Sequence, residues 1–284
     1  MAKNYRSELV GVFGWPIDEN PTGVMEEAGF AARGLDFRYL TIKVENGDLG
    51  AAMAGLRAMH MRGVNLTIPH KVTVLQYLDE LSEAAAIIGA VNVVVNKDGK
   101  LWGENTDGKG FLTSLKDAGV SPLGKTVMIL GAGGAARAIS VECALAGAAK
   151  IIIANRDARR GQALVDLLKE KTPAAAEYIP WQGAITVPGG THLLVNATSV
   201  GLFPNVDQKP DINYASISAG MVVTDVIFND PNSLFLQAAA ARGAQTINGL
   251  GMLVNQGALN FSLWTGEEAP LEIMTGALKR EFGL

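Results

Sequence analysis

TVMILGAGGAAR, running from Thr126 to Arg137, joins an apolar run to three glycines and an alanine-rich continuation. It reads as strand, tight turn and helix. In the spacing Gly131-x-Gly133-x-x-Ala136 the first glycine makes the turn and the second lets the backbone approach a pyrophosphate. The alanine lets the new helix pack closely on the strand, and the helix start aims backbone N–H groups and the positive end of its dipole at the phosphates. Val127 to Leu130 precedes the glycines directly, and a β-branched run, Ile151 to Ala154, follows the helix. That context favours a dinucleotide site over a glycine-rich crossover that only packs well.

The rest of the chain sets bounds on that reading. At 284 residues it can bury a large core, as one large domain or two ordinary ones. Hydrophobic residues at 48% and charged residues at 18% make it globular rather than disordered. The net charge of −4 is spread along the chain with no basic stripe, which disfavours nucleic-acid binding. Its one cysteine, Cys143, reads as a small buried apolar residue, and no disulfide can form within the chain. MAKNYRSELV lacks the apolar stretch of a signal peptide, and no run approaches a membrane span, so a soluble, cytoplasmic protein is expected. His60, His70 and His192 have no metal-ligand spacing, and no metal is assigned.

Before the glycine motif the pattern already alternates. Leu9–Phe13, Asp36–Val44 and Val64–Ile68 read as strands, separated by helices over 24–33 and from Asp48 to Met61. That is the signature of βαβ units and a mostly parallel sheet. Pro69 stops the third strand, and His70-Lys71 open another helix. Val91–Val95 and Leu101-Trp102 flank Asp98-Gly99, a two-residue hairpin turn. Thr106 or Asp107 caps the next helix. After the glycines, strands are expected near 127–131, 151–155, 192–196 and 221–227, and Met252–Trp264 reads as an apolar helix.

NLTIPHK (Asn65–Lys71), GAVN (Gly89–Asn92), ENTDG (Glu104–Gly108), GAGGAAR (Gly131–Arg137), NATSVG (Asn196–Gly201) and NGLGMLVNQ (Asn248–Gln256) occur in the order and at the spacings of the shikimate dehydrogenase family, which the chain resembles over nearly its whole length. The resemblance implies an α/β protein of two domains with a cleft between them. One is a mostly parallel substrate-binding domain, residues 1–106 with 242–284; the other is a Rossmann-type nucleotide domain, residues 107–241. It also implies hydride transfer between a nicotinamide and a ring alcohol or ketone of a cyclic hydroxy acid, shikimate and 3-dehydroshikimate being the reference pair.

Residue by residue, Lys71 matches the family's catalytic lysine and Asp107 its partner. Asn65, Thr67, Asn92 and Gln256 match residues lining the substrate hydroxyls. The cofactor set comprises Gly131, Ala132, Gly133, Gly134, Ala135, Asn155, Arg156, Arg160, Thr198, Val226 and Gly249. Taken alone, Lys71 is a solvated lysine at a helix start and Asp107 a helix cap; the joint motifs favour the catalytic roles. The chemistry suits them, because alcohol oxidation releases a proton that needs an acceptor within hydrogen-bond reach.

Two departures bear on substrate. Where the family places Ser-x-Ser-Pro, whose hydroxyls hold the substrate carboxylate, this chain has Asn20-Pro21-Thr22-Gly23, and the family's D-x-x-Y tyrosine is Phe228. A hydrogen bond to a charged group contributes roughly 1.5–3 kcal/mol, so the substrate is expected to have drifted, with quinate or another ring acid as the alternative. At the end of the second nucleotide-domain strand, Arg156 and Arg160 suit a 2′-phosphate and favour NADP, with NAD the alternative because Asp157 lies between them. The oligomeric expectation is a monomer or homodimer. A nucleotide-binding regulator that has lost turnover is the rival from another class.

Overall fold

A computed structural model describes residues 5–284; the first four residues of the N-terminal stretch considered above lie outside them. The chain divides into two compact units, one formed by residues up to Thr106 with Val254–Leu284, the other by Asp107–Leu253.

The first unit contains β1 (Glu8–Gly14), α1 (Thr22–Arg33), β2 (Phe37–Lys43), α2 (Leu49–Ala58), β3 (Gly63–Leu66), the single turn α3 (His70–Thr73), β4 (Glu80–Leu81), α4 (Glu83–Ile88), β5 (Val93–Lys97) and β6 (Lys100–Glu104). Its sheet runs β2-β1-β3-β5-β6-β4. β1 pairs in parallel with β2 and β3, because helical crossovers return the chain in the same direction. The hairpin then reverses it: β3 with β5 and β5 with β6 are antiparallel. Asp98 and Gly99 both have positive φ, 53° and 90°, as a two-residue hairpin of this twist requires. The reversal matters for the site. It brings Asn92, just before β5, and Thr106, just after β6, to the edge where β1 and β3 end. The expected helix at His70 is only one turn, continued by a 3-10 turn over Val74–Tyr77.

The second unit contains α5 (Asp107–Asp117), β7 (Thr126–Leu130), α6 (Gly134–Leu145), β8 (Lys150–Asn155), α7 (Ala158–Lys171), β9 (Ala175–Pro180), β10 (Ile185–Thr186), β11 (Leu193–Asn196), β12 (Ile212–Asn213), β13 (Val222–Asp225), α8 (Leu234–Ala240) and β14 (Gln245–Ile247). All pairings in its sheet, β14-β13-β11-β7-β8-β9, are parallel. Val127–Leu130 and Ile151–Ala154 are buried throughout, as strands covered on both faces must be. Residues 242–253, assigned from sequence to the first domain, group with this unit because β14 adds to β13. β9 and β14 are edge strands with weak apolar patterns, and the sequence did not announce them.

The chain closes with α9 (Leu250–Thr265), which passes from the second unit into the first, and α10 (Leu271–Glu281), which packs along α1. In the first unit Phe261 stacks on Phe30 with ring centroids 5.3 Å apart, and Trp264 Nε1 donates to the Val94 carbonyl at 3.1 Å. α1 buries Thr22, Met25, Glu26, Gly29 and Phe30, the stripe spacing of an amphipathic helix. Glu26 is the one charged residue on that stripe. No helix among the described residues is long and apolar enough to cross a membrane.

Candidate active site

In the first unit, the residues singled out from sequence meet in a buried polar network at the ends of β3, β5 and β6. Tyr39 Oη donates to Asn65 Oδ1 at 2.8 Å, and Asn65 Nδ2 donates to the Asn92 carbonyl at 3.1 Å. Asn92 Oδ1 accepts from the Thr106 N–H at 2.8 Å, while its Nδ2 donates to Thr106 Oγ1 at 3.0 Å. The Thr106 hydroxyl donates to Asn260 Oδ1 at 2.7 Å, and Asn260 Nδ2 donates to Gln256 Oε1 at 2.9 Å. Gln256 Oε1 also accepts from Asn92 Nδ2 at 3.4 Å, so its amide oxygen faces the network. Asn65, Asn92, Asn260 and Gln256 are each fixed by a partner in this network, which is the condition for a polar cluster to be rigid rather than costly.

Sequence reading found Asn65, Asn92 and Gln256 in this network and missed Tyr39, Thr106 and Asn260. Thr106, expected as a possible helix cap, immediately precedes α5 and donates its hydroxyl to Asn260. Asn260 had a legible signal, since it lies four residues after Gln256 on the same face of one helix. Tyr39 sits on a strand whose alternation marks it as inward-facing but not as polar-bonded.

Around this cluster, Lys71 is half-buried on the single turn α3, and its carbonyl accepts from the Val91 N–H at 2.8 Å, tying the turn to the loop before Asn92. His70 is buried, with Nε2 2.7 Å from the Val44 carbonyl, a packing role. Thr67 is half-buried between β3 and Lys71. Asn20 Oδ1 accepts from the Thr22 N–H at 3.0 Å, so this side chain shapes its own turn with its oxygen and offers only its NH2 outward. Asp107 is 6% exposed and begins α5 in the second unit.

Glu26 was not singled out from sequence. It is fully buried, and neither carboxylate oxygen has a hydrogen-bond partner. Burial raises its pKa well above the ordinary carboxylate value, because no neighbouring group compensates the charged form.

In the second unit, the order of the sheet reverses between β7 and β11, the switch point at which α/β sheets bind ligands. Gly131 ends β7 with φ 112°; a Cβ there would lie 2.9 Å from the Ala197 carbonyl oxygen and strain the turn. Gly133 leads into α6 with open space on its Cβ side, and Ala136 is fully buried against the sheet. Gly134 and Ala135 form the first turn of α6, and Ala132 is buried beside Gly131. This is the cradle a pyrophosphate needs. Thr198, after β11, donates its hydroxyl to Asn196 Oδ1 at 2.7 Å, and Asn196 Nδ2 donates to Asp225 Oδ1 at 3.0 Å. Burial lifts Asp225 to about 6, opposed by hydrogen bonds from Ser233, Ile227 and Asn196. Val226 bonds through its N–H to the Asn196 carbonyl, and Gly249 approaches the Val226 and Ile227 carbonyls so closely that a Cβ would lie 2.6 and 2.4 Å from them. Phe228 is half-buried.

At the end of β8, Asp157 does not point away from its own helix. Its Oδ1 accepts from the Arg159 and Arg160 N–H groups at 2.9 and 3.2 Å, capping α7, and those backbone bonds hold its pKa below the usual carboxylate value. Asn155 Nδ2 donates to the Asp157 carbonyl at 2.8 Å, while Arg156 and Arg160 are exposed.

Residues 12–94 match the model of the shikimate dehydrogenase substrate binding domain, and residues 249–279 that of the shikimate 5'-dehydrogenase C-terminal domain. The shikimate dehydrogenase (NADP(+)) of Desulforamulus reducens is 41% identical over 281 residues, covering 98% of this chain and 97% of that one. The chain belongs to the shikimate dehydrogenase family. Among solved structures of this family, shikimate 5-dehydrogenase from Listeria monocytogenes in complex with shikimate and NAD is 35% identical, with a TM-score of 0.89 and 97% of each chain covered. The ligand-free 5-ketofructose reductase of Gluconobacter sp. strain CHM43 is 48% identical, with a TM-score of 0.90, covering 98% of this chain and all of that one. This chain is thus similar both to a protein named for a ring acid and to one named for a keto sugar.

Proposed function

We propose that this protein is an NADP-dependent oxidoreductase that moves a hydride between the nicotinamide and a ring alcohol or ketone of a polyhydroxylated substrate, with shikimate and 3-dehydroshikimate as the first pair. The carrying observation is the fully bonded network from Tyr39 to Gln256 at the strand ends, next in sequence and space to the Lys71 turn. NADP supplies or accepts the hydride when bound.

The remaining work falls to this chain. Asn65, Thr67, Asn92 and Gln256 hold the substrate hydroxyls. Lys71 takes the alcohol proton in one direction and, as the ammonium, polarises and protonates the ketone in the other. Asp107 holds Lys71 in place and favours its charged form. Gly131 to Ala135 receive the pyrophosphate, with Thr198, Val226 and Gly249 shaping the rest of the nucleotide wall. Arg156 and Arg160 grip the 2′-phosphate in charge-assisted contacts. The engagement of Asp157 as a helix cap supports NADP over NAD, because its carboxylate is held by its own backbone.

Quinate is not favoured, since the curated relatives covering nearly the whole chain are shikimate dehydrogenases. A second reading has specific support. Asn20 replaces a hydroxyl and uses its oxygen internally, Phe228 replaces a phenol, and the keto-sugar reductase is 48% identical; together these support a neutral polyhydroxy ketone as substrate. Absorbance assays with NADP(H) and NAD(H) against shikimate, quinate and 5-ketofructose test the proposal. NADP-linked turnover of shikimate or 5-ketofructose supports it, and binding of NADP without turnover of any of them refutes it in favour of a regulator.

A further inference from the structure

We propose that Asp225 is a positioning residue for the nucleotide: through Asn196 it fixes the turn that carries Thr198 against the glycine turn of the phosphate cradle. This rests on the hydride-transfer reading above and adds to it a residue that itself touches no ligand.

The ground is where three strands end. The parallel registers set Leu130 of β7, Asn196 of β11 and Asp225 of β13 abreast, each the last residue of its strand. This is the switch point of the sheet, where an α/β fold binds its ligand. Asp225 is 3% exposed, and both of its carboxylate oxygens are engaged. Oδ1 accepts from Asn196 Nδ2 at 3.0 Å and from the Ile227 N–H at 3.1 Å, and Oδ2 accepts from the Ser233 hydroxyl at 2.6 Å. Asn196 is fully buried and passes the constraint on. Its Nδ2 also donates to the Val200 carbonyl at 3.2 Å, and its Oδ1 accepts from the Thr198 N–H at 3.2 Å and the Thr198 hydroxyl at 2.7 Å. The same hydroxyl accepts from the Val200 N–H at 3.1 Å, which closes the turn.

The carboxylate sets the direction of this chain. A carboxylate only accepts, so the Asn196 NH2 group faces Asp225 and the Asn196 oxygen faces Thr198. Reversing the amide would set oxygen against oxygen at Asp225 and donor against donor at the Thr198 N–H. The other side of the turn meets the cradle. The Ala197 N–H donates to the Leu130 carbonyl at 2.9 Å, and a Cβ on Gly131 would lie 3.1 Å from Thr198 Cγ2 and 2.9 Å from the Ala197 carbonyl oxygen. The turn that Asp225 holds is therefore the wall on which the Gly131 turn rests, and loosening it disturbs the N–H groups that receive the pyrophosphate.

The test uses the full chain at pH 8, where Asp225, lifted by burial to about 6, carries its charge. Kd for NADPH and NADH is read by nucleotide fluorescence, and KM and kcat by nicotinamide absorbance, in wild type, Asp225→Ala and Asp225→Asn. Asp225→Ala is expected to raise Kd and KM for both nucleotides by about tenfold or more, the value of one lost hydrogen bond of about 1.4 kcal/mol. The kcat at saturating nucleotide and the KM for the ketone stay unchanged. Asp225→Asn keeps an acceptor for Asn196 and Ile227 while its NH2 group donates to Ser233 Oγ, and it is expected to restore wild-type affinity. Unchanged affinity in Asp225→Ala overturns the proposal, and so does an equal loss in Asp225→Asn, which would make charge rather than hydrogen bonding the cause. Should Asp225→Ala fail to fold, Asn196→Asp reads the same coupling by setting two carboxylates face to face, and adding Asp225→Asn to it returns an amide donor to that contact. The single variant is expected to lose affinity and the double variant to regain about tenfold; no regain overturns the proposal. Failure of the hydride-transfer reading is distinguishable, because it removes turnover of every ketone while the Kd comparison, which uses no turnover, still reports on Asp225.

Discussion

Replacing Glu26 by Gln should make the protein more stable, and by an amount that grows with pH. Glu26 is fully buried on the core stripe of α1, both oxygens lack partners, and burial holds its folded pKa well above 4.5. Below pH 4.5 both the folded and unfolded chains carry the proton, and this group adds no pH dependence. As pH rises from 4.5 toward the raised folded value, the unfolded chain releases its proton while the folded chain keeps it. Stability therefore falls over that window by about 1.4 kcal/mol per pH unit, the slope of one proton bound by the folded state alone, and levels off above it. Gln has a neighbouring shape and no charge, so it removes the slope but leaves a buried amide to satisfy. Urea unfolding of both proteins at pH 5, 6, 7 and 8 gives the difference directly, since every other titrating group is common to the pair and cancels. The expected result is a small difference at pH 5 that grows in favour of Gln at each step until the folded pKa is passed. A difference that is flat with pH, or that moves against Gln, refutes the assignment of Glu26 as an uncompensated buried acid.

Lys71→Ala should lower kcat by about 10²–10⁴, the usual contribution of a positioned proton donor, with the Kd for NADP unchanged; stopped-flow turnover and nucleotide fluorescence separate the two effects. Arg156→Ala should raise KM for NADP by about tenfold or more while leaving KM for NAD nearly unaltered, since only the 2′-phosphate loses a charge-assisted contact; equal effects contradict the cofactor assignment. Ser233→Ala removes the 2.6 Å bond to Asp225 Oδ2 and should cost about 1–3 kcal/mol in urea unfolding, more at pH 8 than at pH 4, because Asp225 with its folded pKa near 6 is charged only at the higher value. Gly249→Ala puts a methyl 2.4 Å from the Ile227 carbonyl oxygen and should lower stability by about 1–3 kcal/mol, read as a drop in Tm.

Much of this molecule is legible without coordinates because its strands are hydrophobically continuous and its turns are chemically marked. TVMILGAGGAAR announces β7 and the start of α6, and Asp98-Gly99 announces the hairpin that brings Asn92 and Thr106 to one edge. Where those local signals are weak the reading fails: β9 and β14 are edge strands half open to water, and α3 is cut to a turn that only its neighbours define. The candidate site divides the same way. Asn65, Asn92 and Gln256 stand out as polar residues at strand ends or on an apolar helix, whereas Tyr39 becomes a site residue only through Asn65, and Glu26 only through the absence of a partner.

The most direct measurement is the change in nicotinamide absorbance when the purified protein is mixed with NADPH and a polyhydroxylated ketone, 3-dehydroshikimate in one arm and 5-ketofructose in the other, repeated with NADH. Oxidation of NADPH in at least one arm, faster than with NADH and abolished in Lys71→Ala, is the predicted result. Binding of NADPH with no oxidation in either arm would contradict the account.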